Sequence, residues 1–388
     1  MTAILPGVLF VHRNSHPRHF GGIERKIISI IEALNGRHLA RCHLLTNHQE
    51  SPLSHRAASA GASLHVTSMD GFGGLARTIL AANRLVARER IDLLQSHMFW
   101  ASIVAGTVRR RCAHLRHVFR IHTHIEGSAI SHAKRSLYHL ADRLNSPGVD
   151  HYCVLSTALH REITDVSRIP AAKVSVLMNG IPSPGRPHLI QNDESPLPPR
   201  IVVLGDLQTR KRQDLVIQAM AVLRGRGLSV TCRFIGLERG GYGDELRRLG
   251  LRLGVSELLE FVGFQDPVAP WLDGYEVMLL ASDFEGIPTC MVEAMGLGMV
   301  AVSTSVGGTA DLIEDGRNGY LVPPGDPAIL ADRLELIFHS PSSRLAALRE
   351  AGHETFLSRC SLDAMIAGLL RIYVQLGLRF PTANEDLP

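Results

Sequence analysis

The sequence predicts an α/β protein of two doubly wound domains, and three observations predict it. Continuously apolar runs alternate with amphipathic helical patterns, the alternation occurs twice, and a proline-rich break separates the two stretches. Before the break, GVLFV, ARCHLLT, SLHVT, DLLQS, HVFRIH, HYCVLS and KVSVLM alternate with patterns such as GIERKIISIIEALN and GLARTILAANRLVARER. After it, IVVLGD, TCRFIG, LEFVG, VMLLAS and VAVST alternate with DLVIQAMAVLRGRG, DELRRLGLRLG, CMVEAMGLG and PAILADRLELIFHS. Runs that are apolar at every residue, rather than every second one, are strands buried on both faces, as in parallel sheets covered by helices. The break is PSPGRPHLIQNDESPLPP, residues 182–199, which holds six of the chain's 20 prolines. The expected organisation is therefore a first domain over 1–181, a linker over 182–199 and a second domain over 200–360. A terminal segment over 361–388 follows, and its pattern SLDAMIAGLLRIYVQLGLRF is helical. A chain of 388 residues fits two such domains at roughly 100–200 residues each. In open α/β sheets ligands bind beyond the carboxyl ends of the strands, so two facing domains would place a substrate in a cleft between them.

At 45% hydrophobic and 20% charged residues, the composition excludes disordered and fibrous classes. MTAILPGVLFVHRN has a short apolar stretch without a basic region before it, and reads as a first buried strand rather than a signal peptide. Six cysteines (Cys42, Cys112, Cys153, Cys232, Cys290 and Cys360) lie far apart without a CxxC pair. That usage fits reduced thiols and a cytoplasmic location. The formal net charge of +4 conceals an asymmetry: residues 1–190 carry 23 Lys and Arg against 11 Asp and Glu, and residues 191–388 carry 18 against 26. Eighteen of the 20 histidines also fall in the first half. A basic first half suits an anionic partner, such as a phospholipid surface with peripheral attachment, a lipid-diphosphate acceptor or a polyanionic glycan. The cations are scattered, aromatics are few and no reading motif accompanies them, so nucleic acid is not expected as a partner.

The chemistry-bearing stretch is VMLLASDFEGIPTCMVEAMGLGMVAVSTSVGGTADLIEDGRNGYLVPPGD, residues 277–326. A strand over Val277 to Ala281 leads into a loop with Glu285 and Gly286, then Ile287, and a helix beginning near Pro288 to Thr289. Proline suits the first helical position because its missing N–H would be unpaired there. The free N–H groups of that helix start, reached through Thr289 and Cys290, form a site for an anion at the carboxyl edge of a strand. Glu293 lies about five residues into the helix, roughly 7 Å along its axis, while Glu285 precedes it. That separation suits a nucleotide diphosphate sugar, with carboxylates accepting from sugar hydroxyls at one end and ribose hydroxyls at the other.

This stretch resembles the signature of the retaining glycosyltransferases of family 4, which have the GT-B fold of two Rossmann-like domains. It matches their two glutamates with seven residues between them in EGIPTCMVE, followed by EAMGLGMVAVSTSVGG and DGRNGYLVPPGD. MNGIP (178–182) resembles the strand-to-linker motif, LGDLQTRKRQDLVIQAM (204–220) the phosphate-binding turn, and GGIER, with Gly21 and Gly22, the glycine-rich turn after the first strand. RIHTHIEG (120–127) resembles the loop carrying a histidine towards the donor sugar, and LLQSHM, with His97, is similar to exopolysaccharide and capsule assembly members. The resemblance implies that Glu285 holds the sugar, Glu293 the ribose, Lys211 the diphosphate and His122 the sugar's far hydroxyl. Gly21, His97 and His124 would lie on the acceptor side. It implies sugar transfer with retention, from a UDP-sugar ahead of a GDP-sugar, to a glycolipid or growing polysaccharide. No metal or other cofactor is implied, and the terminal helix would cross back to the first domain.

One position departs from the family pattern. Asp206 stands where an arginine is usual, with Lys211 in place five residues on, so Arg210 or Arg212 would have to supply the missing charge. The alternatives are a non-catalytic nucleotide-sugar-binding partner of an assembly complex, or an epimerase or phosphorylase on the same fold. His122 and His124 form an HxH pair at a strand's carboxyl end, but no carboxylate or cysteine sits at a supporting spacing and no DxD is present, so no metal site is expected. Arg109, Arg110, Arg111 and Arg116 form a basic run that suits either anionic lipid or a solvated helix end. GLERGGYGDELRR lacks a full dinucleotide fingerprint, and its loop is expected near the nucleotide base.

Overall fold

A computed structural model describes residues 5–14, 16–18, 20–122, 131–185 and 199–381. The chain divides into two compact units, one of Met1–Gly180 with Leu362–Pro388 and one of Ile181–Ser361.

The first unit runs β1 (Gly7–Val11), α1 (Gly22–Gly36), β2 (Arg41–Thr46), α2 (Pro52–Ser59), β3 (Ser63–Val66), α3 (Gly71–Arg88) and β4 (Ile91–His97). It continues through α4 (Phe99–Arg109), β5 (Arg116–Ile121), α5 (His132–Asn145), β6 (His151–Val154), α6 (Thr157–Arg161) and β7 (Val174–Val176). All pairings are parallel, in the order β3-β2-β1-β4-β5-β6-β7. Alternate residues of a strand point to opposite faces, and β1 shows both buried. Val8 and Phe10 pack with Ile27, Ile30 and Ile31 of α1, while Leu9 and Val11 pack with Val104 and Val108 of α4. The chain order reverses between β1 and β4, which is where a doubly wound sheet opens a crevice at its carboxyl edge.

The second unit runs β8 (Arg200–Leu204), α7 (Gln213–Gly225), β9 (Thr231–Ile235), α8 (Tyr242–Arg252), β10 (Leu259–Gly263), α9 (Ala269–Leu272) and β11 (Val277–Leu280). After these come α10 (Thr289–Gly296), β12 (Val300–Thr304), α11 (Thr309–Leu312), β13 (Tyr320–Val322), α12 (Pro327–Phe338) and α13 (Ser342–Thr355). Its parallel sheet has the order β10-β9-β8-β11-β12-β13, with the reversal between β8 and β11. The last helix, α14 (Leu362–Gln375), packs Met365, Ile366, Leu369 and Tyr373 into the core of the first unit.

The fold corrects the sequence reading in two places. β13 is a sixth strand of the second sheet, too short at three residues to stand out as an apolar run. Pro288 is the N-cap of α10 rather than its first residue, because its ψ of 116° is extended. Among the described residues no helix is long and apolar enough to cross a membrane.

Candidate functional site

Both sheets put charged and polar residues at their switch points, and each is built within its own unit. In the second unit β8 ends in a turn whose Arg212 adopts a left-handed φ of 51°, folding the chain back so that Lys211 turns towards the loop after β11. Lys211 Nζ donates to Glu285 Oε1 at 2.5 Å, and Ser282 Oγ donates to the same oxygen at 2.7 Å. The Asp283 N–H donates to the Arg210 carbonyl at 2.9 Å, tying the two loops together through backbone. Glu285 is buried, at 7% exposure, so its carboxylate finds its hydrogen-bond partners in these donors rather than in water.

A third loop closes on the same glutamate. The Gly308 N–H donates to the Gly286 carbonyl at 3.0 Å, and a Cβ on Gly307 would lie 1.7 Å from the Glu285 carbonyl oxygen. Gly307, at φ 54°, therefore has to be glycine for the loop after β12 to approach this backbone. Beside Gly286 the space is open, since an added Cβ would meet no atom within 4 Å. Ile287 is partly exposed, Thr289 exposed, and Glu293 partly exposed one turn further along α10. Cys290 is buried among Lys211, Glu285 and Glu293, and burial pushes its thiol up to about 12, so it remains a neutral packing group.

Asp206 is not answered by its sequence neighbours. Its carboxylate accepts from Arg239 Nε at 2.8 Å, an arginine on the loop after β9. Arg212 is committed elsewhere, bidentate to Asp214 at 3.1 Å and to Asp283 at 3.2 Å. These contacts, with the hydrogen bond it donates to Asp214 the largest, raise its pKa further. Arg210 lies 3.9 Å from Glu285 Oε1 and donates to the Phe284 carbonyl. The partner of Asp206 is thus Arg239, which no local spacing signalled, while Arg210 stays beside Glu285 and Arg212 is spent on Asp214 and Asp283. A groove of about 700 Å³ beside the turn is lined by Arg210, Arg212, Asp214 and Tyr242, but it excludes Lys211, Glu285 and Glu293.

At the switch point of the first unit, Gly21 caps α1 and its N–H donates to Glu24 Oε2 at 2.9 Å. Glu24 Oε1 holds His12, just beyond β1, at 2.9 Å, so one carboxylate fixes the glycine turn to the strand end. Gly22 is exposed and, like Gly286, has open space where a Cβ would go.

Beyond β5, His122 is partly exposed and its Nε2 meets His97 Nδ1 at 2.9 Å, the rings stacked with centroids 5.1 Å apart. His97 Nε2 in turn meets Gln95 Nε2 at 2.9 Å, and Gln95 Oε1 accepts from the Tyr373 hydroxyl of α14. With the amide oxygen facing Tyr373, the Gln95 amine donates to His97. His97 then donates from Nδ1 to His122, leaving the His122 proton on Nδ1.

Burial first, then the nearby Arg120 cation together with the neighbouring imidazoles, lowers the pKa of both rings well below the ordinary histidine value. Both rings are therefore neutral at physiological pH. Arg120 is fully buried and donates to the Met178 carbonyl at 3.2 Å and to Asn179 Oδ1 at 3.0 Å.

One acceptor-side expectation changes. His97 is fully buried behind His122 and acts on that ring instead of facing solvent, and His124 lies outside the described residues. The basic run also divides. Arg109 pairs with Asp150 at 2.7 Å and Arg116 donates to the Leu376 carbonyl at 2.9 Å, leaving Arg110 and Arg111 exposed. Among the described residues no three His, Cys, Asp or Glu side chains are grouped to hold a metal ion.

Comparison with known proteins bears on both units. The family described as glycosyl transferase 4-like domain matches residues 21–180, and the family described as glycosyl transferases group 1 matches residues 198–340, together more than three quarters of the chain. The chain is 32% identical over 174 residues to the lipopolysaccharide core biosynthesis glycosyltransferase LpsE of Rhizobium meliloti, covering 45% of this chain and 49% of that one. It is 33% identical over 146 residues to the putative colanic acid biosynthesis glycosyltransferase WcaL of Salmonella typhimurium, covering 36% of each. The chain thus spans half or less of the length of these curated relatives. Among solved structures, Anabaena Alr3699/HepE in complex with UDP superposes with a TM-score of 0.78 at 18% identity, covering 95% of this chain and 99% of that one. At that identity the likeness is one of fold, and the fold is GT-B.

Proposed function

The chain belongs to the glycosyltransferases that join a glycosyl transferase 4-like domain to a group 1 domain, and from that membership we propose that it transfers a sugar from a nucleotide diphosphate donor to an acceptor hydroxyl. The observation that carries the reading is Lys211 held against Glu285 ahead of the N-terminus of α10. An ammonium has three donors, so Lys211 keeps Glu285 in place with one and offers the others to a phosphate oxygen. The N–H groups at the start of α10 favour negative charge in the same place. Glu285 accepts from sugar hydroxyls, and Glu293 from the ribose.

The leaving diphosphate gains charge as the glycosidic bond breaks, and Lys211, Arg210 and the helix N-terminus stabilise it. The leaving phosphate takes the acceptor's proton on the same face of the sugar, which gives retention of configuration. Glu285 orients the sugar without attacking it, and no metal takes part. His122, neutral with its proton on Nδ1, donates to a hydroxyl of the sugar.

A UDP-sugar is the preferred donor, in keeping with the UDP bound to the Anabaena structure. A glycolipid or growing polysaccharide is the acceptor, in keeping with the lipopolysaccharide and colanic acid relatives, and the protein works at the inner face of a membrane. The ion pair of Asp206 with Arg239 supports this reading over that of a non-catalytic partner.

The test is donor turnover, with UDP, GDP, ADP and TDP sugars supplied in chelator. Turnover of one donor is expected to persist without metal and to fall at least about 100-fold in Glu285→Ala. A folded Glu285→Ala protein that turns over its donor at the wild-type rate refutes the assignment.

A further inference from the structure

We propose that the outward face of α5 is a docking surface for an anionic lipid bilayer. The inference rests on the reading of the acceptor as a glycolipid, which would be held in such a bilayer.

The helix is amphipathic the wrong way round for a soluble protein. Its inward face carries His139, Asp142 and Asn145, which are 7%, 2% and 4% exposed. His139 Nδ1 meets Ser167 Oγ at 2.8 Å, and Asn145 Nδ2 donates to Ser102 Oγ at 2.9 Å. Its outward face carries Leu137, Leu140 and Leu144, which are 63%, 51% and 70% exposed. At 3.6 residues per turn the three leucines fall within an arc of about 60°. Lys134 flanks the stripe on one side and Arg143 on the other, both exposed.

Scattered exposed leucines are ordinary, but three in register along one helix form a patch that marks a contact surface. Charge complementarity selects the contact. Asp142 is the only acid on the helix and is buried, so the outward face carries leucines and cations without an opposing carboxylate. Residues 1–190 carry twelve more cations than acids, and Arg110 and Arg111 are exposed at the end of the adjoining α4. A second copy of the chain would meet the same face isologously and bring cation against cation. An anionic bilayer accepts both parts: the leucines enter the headgroup and acyl boundary while Lys134 and Arg143 stay with the phosphates. The 14 residues of α5 give about 21 Å of helix to lie in that plane.

The experiment is co-sedimentation of the full chain with vesicles of phosphatidylcholine alone, or of phosphatidylcholine with a third phosphatidylglycerol, at low and high salt. The wild type is expected to bind the phosphatidylglycerol vesicles and to be released by salt. A triple variant, Leu137→Ser, Leu140→Ser and Leu144→Ser, is expected to lose at least about tenfold in partitioning. Lys134→Glu with Arg143→Glu is expected to abolish the preference for anionic lipid. Hydrolysis of a soluble donor is the control: it stays at the wild-type rate in all these variants, since none of the five residues belongs to the donor site. Equal vesicle binding by the leucine variant overturns the proposal. So does a dimer in sedimentation velocity that the leucine variant dissolves, because the stripe would then be a self-association face. A failed glycosyl transfer reading leaves the vesicle result standing, so the two failures are distinguishable.

Discussion

The two units share a strand order, which the first extends by a seventh strand, and each carries polar residues at the switch point of its parallel sheet, yet the two are armed differently. The second unit uses formal charges in ion pairs. Lys211 meets Glu285, Arg239 meets Asp206, and Arg212 meets Asp214 and Asp283. In the first unit the hydrogen-bond chain from Tyr373 through Gln95 and His97 to His122 is neutral, with the buried Arg120 cation nearby to keep the rings so. Cations and a helix N-terminus suit a phosphate, whereas a neutral imidazole of fixed orientation suits a hydroxyl.

The sharpest way to break this contrast is to remove the charge from the second unit. Lys211→Ala is expected to lower donor turnover about 100-fold or more, equivalent to about 2.7 kcal/mol of transition-state stabilisation. A Lys211→Ala enzyme that keeps its turnover would mean the charged switch point is a structural ion pair only.

Acid separates the units next. His43, His65, His97, His117, His122 and His151, all in the first unit, have lowered pKa values, with His43 and His117 down to about 4, chiefly through burial. Between about pH 6.5 and pH 4 the unfolded chain binds protons that these folded sites refuse, so their contribution to stability is lost as pH falls through that window. Asp142 works the other way. Burial and then Glu162 push it up to about 7, so protonation below that value relieves a cost in the folded state, but it is one group against six. The melting temperature is expected to drop by about 5 °C or more between pH 7 and pH 5. Hydrogen exchange should show the first unit opening before the second, and uniform exchange in both would contradict the histidine account.

Tyr373→Phe probes the neutral chain alone. It leaves Gln95 Oε1 without its buried donor, and about 1–3 kcal/mol of stability should go with it. The ¹⁵N shifts of His122 should also change, because the amide is then free to flip and reverse the tautomer. Unchanged shifts would show that Tyr373 does not set the ring's proton.

The smallest effect is expected at Arg239→Ala. Arg239 is exposed and Asp206 partly so, and stability should change by less than about 1 kcal/mol. Nucleotide affinity, measured by calorimetry, should weaken a few-fold, since Asp206 would then face the donor unanswered. Unchanged affinity would place Asp206 away from the diphosphate.

The sequence by itself determined the doubly wound sheets, the turn after β8, the helix start ahead of Cys290 and the spacing of Glu285 from Glu293. All of these are written in short-range periodicity and capping chemistry, which act over a few residues. Tertiary structure alone decided what answers Asp206, why His97 is buried, and how α5 turns its leucines outward. Arg239 lies 33 residues from Asp206, and Tyr373 lies 278 residues from Gln95. Such partners are chosen by which strands end side by side at a sheet edge. The outward stripe of α5 was hidden for the same reason: helical spacing shows that a face is apolar, and only the packing shows which side of the helix the protein keeps.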